Sequence, residues 1–338
     1  MIWVLLGLLW RRLLVVLPLL FVVSVVLFIV LRVLPTDPIA MLVPPNATKE
    51  DVEELRAAYG FDKPIPVQYE IWLGGALRGD LGLSTSARTS VTGLIASALP
   101  ATLELVLCGI ALGTLLGVGG GLVMYALRGR LAESAADVGS TVMMSLPEFL
   151  WALLFVLCLG VWVPMLPFIG RIDSSIRVPT TTGLYLIDTL AAGNFHGFLN
   201  VLSHLVLPVA ALALPFAPGI MRVLRSSLFD VGNEEYVRLA RLRGIGERRI
   251  LLHHVMRNAL LPTLSLIGVQ AGFMFGGTLL VEIIFSWPGM GSLMVTAVRN
   301  QDLPLIQGIV LTYCIVVLAL NFAIDASYLA LNPKLRIA

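Results

Sequence analysis

Runs of about twenty consecutive apolar residues dominate this chain, and a run of that length is what a helix needs to cross a hydrocarbon core roughly 30 Å thick. Segments of this kind stand at roughly 13–33, 99–127, 138–163, 203–222, 262–284 and 306–330. Of the 338 residues, 58% are hydrophobic and 13% charged, which leaves little material for a large water-soluble domain. The pattern predicts an all-α integral membrane protein with six transmembrane helices. A net charge of +2 gives no reason to expect a nucleic-acid partner. Cys108, Cys158 and Cys314 all lie inside apolar runs and read as small hydrophobes, without disulfide or metal-ligand spacing. Arg11 and Arg12 precede the first run, as in a secretory signal. That run is longer than a signal core, however, and no small-x-small cleavage site follows, so it reads as a retained first span.

Basic residues fix the expected orientation. Arg11 and Arg12, Arg128 and Arg130, Arg222 and Arg225, and Lys334 and Arg336 all fall on one side if the spans alternate. The positive-inside rule puts that side, and both termini, in the cytoplasm. Three connections remain outside. Residues 34–98 are expected to be ordered: Thr48 and Asp51 resemble a capping box opening a helix through Ala58, stopped by Gly60, and Pro64 and Pro66 lead into a second short helix over Gln68–Arg78. Residues 164–200 form a loop with Pro164, Pro167 and Gly170. Residues 285–305 carry a Trp287-Pro288-Gly289 turn and a short helical piece.

Between the fourth and fifth spans the chain turns basic, with Arg238, Arg241, Arg243, Arg248, Arg249 and Arg257 within NEEYVRLARLRGIGERRILLHHVMRNALLP, residues 233–262. Asn233 as N-cap, Glu234 and Glu235 at the positive start and arginines toward the end specify a helix to Arg243. Gly244 stops it, Gly246 permits a reversal, and a second helix runs from Glu247 to Leu260, with Pro262 marking re-entry into the membrane. Tyr236, Leu239 and Ala240 are spaced to share one face. A polybasic segment lying on anionic lipid explains the charge. It does not explain a short capped helix with a small residue and a tight glycine break; a knob that docks on another protein does.

This stretch resembles the EAA loop of membrane subunits of bacterial ABC importers, and more narrowly the dipeptide/oligopeptide branch, whose version is similar to EYVRLARLRG…RNALLP. Ordered matches extend along almost the whole chain: LPTDP at 34–38, GDLGLS at 79–84, LPATLEL at 99–105, LIDT at 186–189, EIIFSWPGMG at 282–291, QGIVL at 307–311 and NPKLR at 332–336. There are departures. Thr36 stands where the branch has glycine, and Arg238 falls where the general EAA pattern has glutamate. The gap to Leu261-Pro262 is longer than in the general pattern, as it is in the peptide branch.

The resemblance implies a type I ABC-importer transmembrane fold, of the dipeptide-type first permease subunit, in three regions. These are the N-terminus and first span (1–33), an outer helical loop (34–98) and a core of five helices (99–338) that includes the 233–262 coupling loop. It implies a bacterial inner-membrane permease without an ATPase site of its own. A second permease subunit, two ATPase subunits that bind ATP and Mg, and a soluble extracytoplasmic substrate-binding protein would complete the importer. Consistent with this, no GxxxxGK[ST] phosphate loop occurs in the chain. The coupling residues carried over are Glu235, Tyr236, Arg238, Ala240, Arg241 and Gly244, with Tyr236, Ala240 and Gly244 expected to pack closely and Arg238 and Arg241 to make polar contacts.

Polar residues within spans are costly and face a bundle interior or an aqueous cavity. Glu104, Gln270, Glu282, Asn321 and Asp325 are the candidates for pathway or structural roles. Asp325 could pair with Lys334 or Arg336. Gly268, Gly272, Gly276 and Gly277 are spaced for close helix packing. An ion-coupled secondary transporter is the competing reading; it calls for midplane ionisable groups in matched halves, and the mid-span regions read as nearly free of acids. No enzyme signature is present. His253 and His254 are adjacent, so they point to different helix faces and do not suggest a metal site.

Overall fold

A computed structural model describes residues 2–33, 48, 50, 53 and 62–331. The LPTDP and NPKLR strings lie outside the described residues, as does nearly all of the expected helix from Thr48 to Gly60. The described helices are α1 (Ile2–Val33), α2 (Ile65–Ala76), α3 (Val91–Ala126), α4 (Leu131–Ser145) and α5 (Glu148–Trp162). They continue as α6 (Tyr185–Ala191), α7 (Phe195–Gly232), α8 (Glu235–Leu242), α9 (Glu247–Ile284), α10 (Met290–Arg299) and α11 (Leu303–Leu331). Among the described residues no strand forms beyond an isolated bridge between Leu83 and Ser90.

Among the described residues five helices are long and apolar enough to cross a membrane, and a pair, α4 and α5, bent by 96°, makes a sixth if the two count as one span. The apolar segment at 138–163 is therefore built from two helices and not one continuous rod. Pro147 cannot donate an N–H and pushes the residue before it out of helical geometry; Leu146 is extended at φ −104°, ψ 129°. Pro147 then caps α5, whose last stretch, Val156–Trp162, widens into a π-helix. Helices α3 and α7 begin earlier than their apolar runs, and α7 also ends later. Hydropathy marks the lipid-facing stretch, whereas backbone hydrogen bonding continues past it. At the start of α7 the Asn194 side chain accepts from Gly197 N at 2.8 Å. At the end of the apolar run Arg222 donates to Thr141 at 2.7 Å, and beyond it Arg225 pairs with Glu133, so charged residues continue the helix.

By packing, the described residues divide into two units, one holding residues 2–5, 103–287 and 319–331, the other 6–33, 62–102 and 288–318. In the first, α3 presents Gly113, Gly117 and Gly121 to α7. A Cβ on Gly117 would lie 2.5 Å from that of Ile220, so only glycine allows this approach. In the second, Val91, Ile95, Met290, Leu305 and Ile309 form the core, and Gly308 makes room for Val91. Helix α2 starts at Ile65, three residues earlier than expected, because Pro64 and Pro66 sit where a helix has no use for their missing N–H. Its Tyr69 packs edge-on to Phe28 of α1, with ring centroids 5.4 Å apart. Buried Asp302 ties this unit together by accepting from Ser84 Oγ at 2.5 Å, from Ser86 N and Oγ at 3.0 and 2.7 Å, and from Leu305 N. Burial alone pushes its carboxyl up, but these bonds outweigh that and hold it below the usual aspartate value.

Candidate functional site

The basic insert is a finger whose shape is set by its own chain. Asn233 does not cap it: with φ −97° and ψ −4° it closes α7, and extended Glu234 takes the N-cap position of α8. At the other end Gly244, at φ +74°, closes a Schellman motif. Its N–H bonds to Arg241 O at 2.9 Å, and Ile245 N to Ala240 O at 3.2 Å. A residue with a Cβ resists that left-handed geometry, which is the physical reason for glycine here. The chain then enters α9 at Glu247, passes through a π turn at Ile250–Val255, and continues unbroken through Pro262.

The faces of α8 differ from the expected ones. Val237 and Ala240, three apart, point inward among Leu224 and Leu228 of α7 and Ile250, Val255 and Ala259 of α9. Ala240 thus packs within this chain and does not share a face with Leu239. Tyr236 Oη donates to His254 O at 3.2 Å and accepts from Asn258 Nδ2 at 2.9 Å. Arg241 donates to Glu247 at 2.8 Å and to Gly232 O at 3.2 Å. Glu235 and Arg238 are exposed. So are Leu239 and Leu242, at 53% and 84%. These two leucines are absent from the expected coupling set; their i, i+3 spacing opposite Val237 and Ala240 was the available signal.

The span residues separate into different roles. Glu104 is buried and bonded to Arg171 Nη2 at 2.6 Å and to Leu186 N at 2.7 Å. Arg171 also donates to Gly183 O, and its guanidinium lies 3.8 Å from the Tyr185 ring centroid. Glu104 therefore anchors the 164–183 loop and α6. In α6, Asp188 accepts from the N–H groups of Thr181, Thr182 and Gly183. Burial alone raises its carboxyl pKa, but these bonds outweigh burial and lower it on balance. Glu282 is buried, and its carbonyl accepts from Trp287 N at 2.7 Å. Asn321 lies partly buried on α11; Asp325 lies on the same helix with its side chain outside the described residues, as are Lys334 and Arg336.

Gln270 lines a groove of about 390 Å³ among α5, α7 and α9, together with Glu148, Leu212, Phe216, Phe273 and Met274. Glu148, an acid inside the 138–163 run that was not among the candidates, is the first residue of α5. Of the fifth-span glycines, Gly268 faces Ile324 and Gly277 makes room for Glu148, whereas a Cβ on Gly276 would meet nothing within 4 Å.

An α-helical bundle with a bent helix pair, a basic finger packed on two long helices and a groove among its helices fits a membrane transport subunit. Residues 109–337 match the binding-protein-dependent transport system inner membrane component family, and residues 5–106 match its N-terminal region. The chain belongs to that family. It is 34% identical over 331 residues to the di/tripeptide transport system permease protein DppB of Pseudomonas aeruginosa, covering 96% of this chain and 97% of the relative. It is 32% identical to the dipeptide transport system permease protein DppB of Escherichia coli K12, with the same coverage, and 31% identical to an E. coli glutathione transport system permease, GsiC, over 96% and 97%. Among solved structures, the inward-facing MetNI methionine ABC transporter matches with a TM-score of 0.54 at 15% identity, over 71% of this chain and 96% of that one. The fold is the type I ABC-importer transmembrane fold, and the chain is a multi-pass permease subunit.

Proposed function

We propose that this chain is one of two permease subunits of an ATP-driven importer that carries dipeptides, oligopeptides or related small solutes into the cell. A soluble binding protein delivers the cargo from outside. Two ATPase subunits beneath bind ATP and Mg and grip the finger, and both chain termini lie on their side of the membrane. Closure of the ATPase pair moves the finger, and the helices alternate between two packings that open the pathway to one side and then the other.

One observation carries this reading: α8 turns Leu239 and Leu242 outward, beside Arg238, while its opposite face is fastened to α7 and α9. Exposed leucines on a fixed helix fit a protein cleft, and the neighbouring arginine adds directional polar contacts. The named peptide permeases supply the cargo class. Co-expression of the chain with its neighbouring permease and ATPase genes, followed by reconstitution with the binding protein, tests it. ATP-dependent dipeptide uptake is expected; uptake driven by an ion gradient with no ATPase present replaces this reading with secondary transport.

A further inference from the structure

The groove among α5, α7 and α9 is lined by one carboxylate, Glu148, and one amide, Gln270, with no cationic side chain among its lining residues. Glu148 enters from the first turn of α5, and Gly277 is open to receive it: a Cβ there would lie 2.5 Å from Glu148 Oε1. Gln270 is accommodated in the same way, since a Cβ on Gly219 would lie 2.6 Å from its Nε2. Two glycines on two different helices each leave space for a polar side chain, so these groups are built into the walls. Gln270 Oε1 is buried without a hydrogen-bond partner. An acceptor left in that state is costly, and a donor brought into the groove relieves the cost. An acid within a span marks a functional site by default.

We infer that Glu148 and Gln270 form a subsite for a protonated primary amine of the transported solute. An ammonium offers three donors and no acceptor, which complements a carboxylate and an amide oxygen. Phe216 and Phe273 add aromatic surface, on which a cation is also attracted. A volume of about 390 Å³ suits a small solute. The inference rests on the importer reading above and adds the chemical group the pathway reads: the amino terminus of a peptide, or a lysine side chain within one.

The test uses the complete complex of this chain with its partner permease and ATPases in lipid nanodiscs, without the binding protein, so that only the pathway's preference is measured. Alanyl-alanine is expected to bind saturably at millimolar concentration, and N-acetyl-alanyl-alanine at least tenfold more weakly. A lysine-containing N-acetylated dipeptide separates the two amine sources. Glu148→Gln is expected to abolish the preference, and Gln270→Leu to reduce it. Equal binding of the free and acetylated peptides, a preference that survives Glu148→Gln, or no saturable binding of alanyl-alanine overturns the subsite. Wild-type ATP-dependent uptake is measured separately in proteoliposomes with the binding protein present: uptake without amine preference refutes the subsite alone, and no ATP-dependent uptake there refutes the importer reading.

Discussion

Arg171 and Glu104 meet at 2.6 Å with side chains only 5% and 3% exposed, joining α3 to the loop before α6. Removing one partner strands the other's charge in a buried place, at a cost of about 3–5 kcal/mol. Glu104→Gln is expected to lower the thermal unfolding midpoint of the purified protein in detergent markedly, and Arg171→Met likewise. The double variant, which buries no unpaired charge, is expected to recover most of the loss. Additive losses in that double variant would show that the two residues act independently.

Leu239 and Leu242 contribute little to this chain's own core. Changing either to Asp is expected to alter stability by no more than about 0.5 kcal/mol, yet to abolish copurification of the ATPase subunits. Val237→Asp, on the buried face of the same helix, is expected to reduce the yield of folded protein itself. Pull-down beside size-exclusion chromatography distinguishes the two effects.

Gly244 has open space around its missing side chain, so a substitution there is resisted by its positive φ alone. Forcing an L-residue into that region costs roughly 1–2 kcal/mol, and a β-branched one suffers most. Gly244→Val is expected to leave the complex in the membrane but to uncouple uptake from ATP hydrolysis. Wild-type uptake by that variant counts against a coupling role for the finger.

Asp302 ionises more readily folded than unfolded, because the bonds from Ser84, Ser86 and Leu305 outweigh its burial. A depressed folded pKa contributes stability that is present above the ordinary aspartate value of about 3.9 and is lost as pH falls through the lower folded value. Combined Ser84→Ala and Ser86→Ala substitution is expected to raise that folded value, so that the acid limb of the unfolding curve is less steep and the protein is less stable at neutral pH. Unfolding midpoints measured from pH 3 to 7 check this.

Glycines of similar appearance differ in their surroundings. Gly117→Ala places a methyl group 2.5 Å from Ile220 Cβ and is expected to cost about 1–3 kcal/mol by overpacking. Gly276→Ala meets nothing within 4 Å and is expected to be neutral or to stabilise the helix by up to about 1 kcal/mol. Thermal unfolding of the two variants gives the comparison.

Much of this fold was legible because lipid imposes a pattern that hydropathy reads directly. The apolar segments, the Gly244 stop and the helix start at Glu247 all follow from local chemistry. What escaped depends on distant partners or on competition between neighbours. Asn233 is a good N-cap by type, but α7 runs long enough to claim it. Ala240 seemed suited to an outside partner until α7 and α9 enclosed it. Arg171 offered no hint of Glu104, 67 positions away in the chain. Glu148 was readable as an acid inside an apolar run, yet the bend at Pro147, which brings it to the groove, depends on how α4 and α5 part.

The finger's attachment has a mechanical consequence. Helix α7 is 38 residues long, about 57 Å of continuous helix. Its lower turns hold Val237 and Ala240 through Leu224 and Leu228, and its middle supplies Leu212 and Phe216 to the groove. Helix α9 repeats the arrangement, with Val255 and Ala259 at the finger and Gln270 and Met274 at the groove. The two shafts share one handle, so two of the three helices around the cavity are the same two that hold the finger.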